Sequence, residues 1–103
     1  MNTTPTVQFD PKDPEEIVPI TFDFEHLTTA PVNPVIVVTR HSGAADANPA
    51  ALLSGSPLVV GAEVRQRVQG GVDQANYVLR CRVDDAQGNR WVLAAKLPVR
   101  AAV

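Results

Sequence analysis

Apolar and polar residues alternate along much of this chain with a period of two, the spacing at which successive side chains point to opposite faces of a strand. The clearest stretch lies near the C-terminus. Tyr77, Leu79, Cys81 and Val83 share one face while Val78, Arg80 and Arg82 share the other, and Trp91, Leu93, Ala95, Leu97 and Val99 continue the first set. Between them Asp84 and Asp85 can accept local backbone hydrogen bonds, and Gly88 suits a positive φ, so the two runs read as a hairpin. Gly70 and Gly71 form the turn before it, and Tyr77 is placed to send its hydroxyl back to that turn.

Upstream the same period recurs. Val18, Ile20, Phe22 and Phe24 alternate with Pro19, Thr21 and Asp23, a half-buried strand whose proline suits an edge. Residues 28–34 are a loop broken by Pro31 and Pro34. Residues 35–40 form an unbroken apolar run that fits a strand buried on both faces. Residues 41–51, rich in small residues, read as a connection that could hold a short strand. Residues 58–68 read as one strand with Leu58, Val60, Ala62, Val64 and Val68 inward, Gln66 as a polar intruder, and Val59, Arg65 and Arg67 outward. Five or six strands at a spacing of about ten residues leave no room for helical crossovers. The predicted fold is all-β, an immunoglobulin-like antiparallel β-sandwich over residues 17–103 with an extended N-terminal arm over residues 1–16.

Composition supports this division. A chain of 103 residues is one domain, with one thin core that rests on Val, Leu, Ile and Ala because only 5% of residues are aromatic. Nine prolines disfavour long helices. Residues 1–16 begin polar and carry Pro5, Pro11 and Pro14 among charges, too little apolar surface to order alone. Residues 1–25 hold six acids against Lys12 alone, whereas the remainder holds eight Lys or Arg against five acids. Opposed signs of this kind orient association, so the arm is expected to dock on an arginine face of its own or a neighbouring copy.

The single Cys81 excludes an internal disulfide and favours folding in the cytosol. No signal-peptide pattern occurs, and no apolar run approaches the roughly 20 residues that span a bilayer. Catalytic chemistry finds little footing. A Cys–His nucleophile needs an exposed thiolate, and the strand phase points Cys81 inward. His26 and His41 lack a third ligand at metal spacing, and the neighbouring carboxylates of Glu15-Glu16 and Asp84-Asp85 diverge on extended backbone. Gly70-Gly71 lacks the Lys-Ser or Lys-Thr of a phosphate loop. The expectation is a protein without enzymatic activity, cofactor or metal.

The run Lys12-Asp13-Pro14-Glu15-Glu16-Ile17 leading into Phe22-Asp23-Phe24, then Gly70-Gly71, Tyr77 and Gly88 with a valine-rich end, resembles the fiber-tail adaptors of tailed phages. The resemblance covers the two ends of residues 12–100 and departs at Phe24, where that family often has Trp, and through residues 39–57. It implies a bacteriophage virion structural protein, folded in the host cytoplasm. Such a protein would be a multi-copy adaptor or ring between tail or connector and fiber or other virion proteins. A capsid decoration protein and a cellular immunoglobulin-like binding module are the alternatives.

The expected contact residues are Lys12, Asp13, Pro14, Glu15 and Glu16 of the arm, with Arg65, Arg67, Val78, Arg80, Arg82 and Val92 of the outer faces. The arginines make one basic face if their strands pair and two patches if the strands lie in opposite sheets. Net acidity and scarce aromatics argue against nucleic acid as the partner.

Overall fold

A computed structural model describes residues 6–102. Its strands are β1 (Thr6–Gln8), β2 (Val18–Asp23), β3 (Val32–Gly43), β4 (Leu53–Val60), β5 (Glu63–Val68), β6 (Ala75–Asp84) and β7 (Arg90–Pro98), with one 3₁₀ turn at Pro49–Leu52. They form two sheets, ordered β1-β7-β6-β3 and β2-β5-β4. All pairings are antiparallel except β1 on β7, which is parallel and sets Thr6 beside Ala94 and Gln8 beside Lys96. The inner faces pack into one core, as the alternation predicts for a β-sandwich. Ile20, Phe22, Phe24, Val64 and Val68 face Ile36, Val38, Tyr77, Leu79, Cys81, Val83, Leu93, Ala95, Leu97 and Val99. Trp91, expected among them, is only half-buried because it sits at the hairpin end.

Residues 58–68 are not one strand. Val60 pairs with Glu63 across the two-residue turn Gly61-Ala62, in which only Gly61 takes a positive φ, 60°. A glycine at the first position of such a turn lets two strands reverse tightly with the correct twist. The reversal flips the phase of β4: Leu58 and Val60 are exposed and Val59 packs on the core. Gln66 stays inward, as its phase requires, and its Nε2 donates to the carbonyls of Ser54, Gly55 and Arg67. Two of these carbonyls, those of Ser54 and Gly55, lie at the start of the irregularity in β4 between Ser54 and Leu58, so the buried amide supplies bonds where the ladder is interrupted.

The run at 35–40 is not buried on both faces. Ile36 and Val38 are buried, but Val35 and Val37 are 41% and 54% exposed. β3 lies at the end of its sheet, and among the described residues no strand covers its outer side. It also runs farther than expected, to Gly43, and β4 begins at Leu53, so residues 41–57 hold the end of one strand, the 3₁₀ turn and the start of the next.

The arm, in its described part, lies on the body rather than free of it. After β1, the Phe9 N–H donates to the Lys96 carbonyl and the Lys12 N–H to the Pro98 carbonyl, while the Lys12 carbonyl accepts from Arg100. The Phe9 ring meets Phe22 edge-on at 6.0 Å between centroids. An exposed sheet edge supplied the partner that the composition of residues 1–16 alone does not reveal. Residues 1–5 of the arm lie outside the described residues.

Candidate interaction surfaces

The Lys12-Asp13-Pro14-Glu15-Glu16 run is a clasp. Lys12, expected at an interface, is 2% exposed, which removes it from the contact surface. Its ammonium donates to the carbonyls of Gly70, at 2.6 Å, and Asp13, at 2.8 Å. Burial pulls the Lys12 pKa below its ordinary value, while Glu16 and Asp13 hold it up. A charged donor on a turn carbonyl is among the stronger hydrogen bonds a protein makes.

Gly70 and Gly71 both have positive φ. A Cβ on Gly71 would sit 2.8 Å from Cγ2 of Val99, so the turn can pass close under the last strand only with glycine there. Asp13 closes the clasp: its Oδ2 accepts from the Ala102 N–H at 2.6 Å, its Oδ1 from Glu15, and its own N–H donates to Glu16 Oε1. The bond to Ala102 leads the causes that lower the Asp13 pKa. Pro14 and Glu15 reach the rim of a shallow cleft of about 450 Å³, together with Ile17, Asp46 and Val72.

Tyr77 holds the same end of the sandwich. Its hydroxyl accepts from the Val72 N–H at 2.9 Å, as the strand-start position predicts, and donates to Asp46 Oδ2 at 2.6 Å. Burial raises the tyrosine pKa, and the tyrosine hydroxyl lowers that of Asp46. At the opposite end Asp85 organises the β6–β7 hairpin. It accepts from the N–H groups of Gln87 and Asn89 and from the Trp91 indole, which is the leading cause of its lowered pKa. Cys81 is buried and its thiol is pushed up to about 12, which leaves it protonated at neutral pH. Among the described residues no three His, Cys, Asp or Glu side chains converge as metal ligands would.

The arginines fall into two patches, since β5 and β6 belong to different sheets. On the three-stranded sheet Arg65 bonds to Glu63 at 3.0 Å and both stay substantially exposed, beside Arg67, Thr21 and Leu58. Such a pair adds about 0–1 kcal/mol and leaves a face of mixed charge.

The four-stranded sheet differs. Its register sets Val35, Arg82 and Val92 in one outward row, Val37, Arg80 and Ala94 in the next, and Thr39, Val78 and Lys96 in a third. Val35, Val37, Thr39, Arg80, Arg82 and Val92 enclose a groove of about 290 Å³. The carboxylate on this face, Asp84, bonds Arg90 at 2.8 Å, and Arg90 is the first cause of its lowered pKa. No ion pair among the described residues engages Arg80, Arg82 or Lys96. Val78, Arg80, Arg82 and Val92, all expected as contact residues, thus share one face. Val35 and Val37, which complete the surface, belong by pattern alone to a strand buried on both faces. An edge position is set by sheet order, which the valine run does not encode. Comparison with protein-family models, with curated proteins and with solved structures finds no match to this chain.

Proposed function

We propose that this protein is a non-enzymatic assembly module, an immunoglobulin-like sandwich that joins other proteins through the outer face of β3, β6 and β7. The observation that carries this reading is the exposed valine strip of that face with its unpaired Arg80, Arg82 and Lys96. An apolar patch rimmed by cations is costly to leave in water and typical of a contact surface. The immunoglobulin-like type is supported by the strand order. With β2 to β7 taken as strands B to G, the sheets read B-E-D and C-F-G, and a tyrosine at the start of F bonds back to the preceding corner. The non-catalytic reading is supported by a protonated, buried Cys81.

The setting follows the fiber-tail adaptor resemblance: a multi-copy structural protein of a tailed-phage virion, folded in the host cytoplasm and placed between tail or connector and its neighbours. Its test uses particles assembled with Val35→Asp/Val37→Asp chains in place of the normal one. The variant is expected to fold and melt as the parent does and to be missing from the particles, whereas the parent is present in a fixed number of copies. Absence of the parent chain from particles would remove the virion setting. Normal incorporation of the variant would remove the face.

A further inference from the structure

β3 ends its sheet with β6 on one side and, among the described residues, no strand on the other. In a paired edge strand roughly half of the N–H and C=O groups point away from the partner, and those of residues 33–41 enter no other backbone hydrogen bond among the described residues. The devices that usually guard such an edge are confined to its ends: Pro34 with the irregularity between Val32 and Val35, and a second irregularity between Arg40 and Ser42. Residues 35–39, Val-Ile-Val-Val-Thr, carry no charge and no proline.

One strand inward, Arg82 stands level with Val35 and Arg80 level with Val37. Strands lie about 4.8 Å apart, so a side chain on an added strand would be about 10 Å from these arginines, across the valines. An arginine and a glutamate can meet over that span, laying their methylene stems on Val35 and Val37. A second lysine- or arginine-bearing segment would instead face unpaired Arg80, Arg82 and Lys96. Two copies stacked face to face through this sheet would do the same.

Resting on the assembly reading above, we propose that the free edge of β3 takes an extended, acidic protein segment as an added strand. The segment's main chain pairs with residues 35–39, and its outward carboxylates meet Arg80 and Arg82. Open backbone groups supply the hydrogen bonds, the valine strip supplies apolar cover, and the unpaired cations select the sign of charge.

The test titrates the full-length protein with a labelled, end-capped octapeptide of alternating Glu and Val, read by anisotropy and by amide hydrogen exchange. The peptide is expected to bind and to slow exchange at residues 35–39. The Lys-Val counterpart should bind about tenfold more weakly, and a copy N-methylated at alternate residues should not bind. Arg80→Glu/Arg82→Glu, both exposed, should reverse the preference between Glu and Lys peptides. Equal binding of the two peptides, binding of the N-methylated copy, or protection elsewhere would overturn the proposal. So would dimers that protect residues 35–39 without peptide, which would make a second copy the occupant. If no peptide binds while the Val35→Asp/Val37→Asp chain is still lost from particles, strand addition fails and the assembly reading stands. If that chain is incorporated normally, the assembly reading itself fails.

Discussion

Two stretches of this chain are used against their appearance. The charged run at residues 12–16 looks like a recognition element, yet Lys12 is buried and the carboxylates of Asp13 and Glu16 accept from main-chain N–H groups of the protein itself. The valine run at residues 35–38 looks like core and has one face in water. The difference lies in what each finds in three dimensions. Lys12 meets a turn carbonyl that needs a donor, so burying its ammonium is compensated. Val35 and Val37 meet no second layer among the described residues, because their side chains point away from the space between the two sheets. Residue type sets the cost of a position, and topology decides whether that cost is met.

The strongest way to break this contrast is to remove the clasp. Deleting residues 2–16 takes away β1, Phe9 and Lys12 together, and urea denaturation should show a loss on the order of 3 kcal/mol or more. A free arm would be removed at almost no cost, so an unchanged midpoint would show that the segment is only draped on the body. Next in size is Gly71→Ala, which forces a side chain into a positive-φ position against Val99. A loss of about 2–3 kcal/mol is expected in the same assay. Lys12→Met keeps the apolar stem but strands the Gly70 carbonyl, at about 2 kcal/mol. Tyr77→Phe unpairs the Val72 N–H and should cost about 1–2 kcal/mol.

A smaller effect concerns pH. Asp13, Asp46, Asp84 and Asp85 all have folded-state pKa values below the ordinary carboxylate value, so each favours the folded state once ionised. That contribution is complete above the unfolded pKa of about 4 and is lost as pH falls through the depressed folded values. Stability should therefore decline below about pH 4, and Asp13→Asn, whose amide oxygen can still accept from Ala102, should make the decline shallower. The mildest change sharpens the other half of the contrast. Val37→Asp alters a half-exposed outward position and should shift the midpoint by no more than about 0.5 kcal/mol while weakening association.

Much of the fold was legible because alternation is a local signal. The inward set from Tyr77 to Val99 apart from Trp91, the strand β2 with its inward Ile20 and Phe22, and the hydroxyl of Tyr77 all follow from period and turn chemistry. What failed depends on events the pattern does not carry. The reversal at Gly61 swaps the phase of β4 because residues paired across a two-residue turn, such as Val60 and Glu63, are an odd number apart, a step that unbroken alternation does not contain. The clasp was hidden because the partner of Lys12 lies 58 residues away. The candidate face was half legible: alternation set Val78, Arg80, Arg82 and Val92 on one side, but Val35 and Val37 depend on β3 being last in its sheet.

The parallel strand β1 also gives the two margins of the four-stranded sheet different characters. Thr6–Gln8 lie along the β7 edge, and Phe9 and Lys12 carry the chain on beside Lys96 and Pro98, whereas β3 presents twelve residues with no described strand beside them. The sheet is therefore polar across its width: one margin is dressed by its own chain and the other is bare, so the two sides of one molecule offer unlike surfaces to whatever approaches.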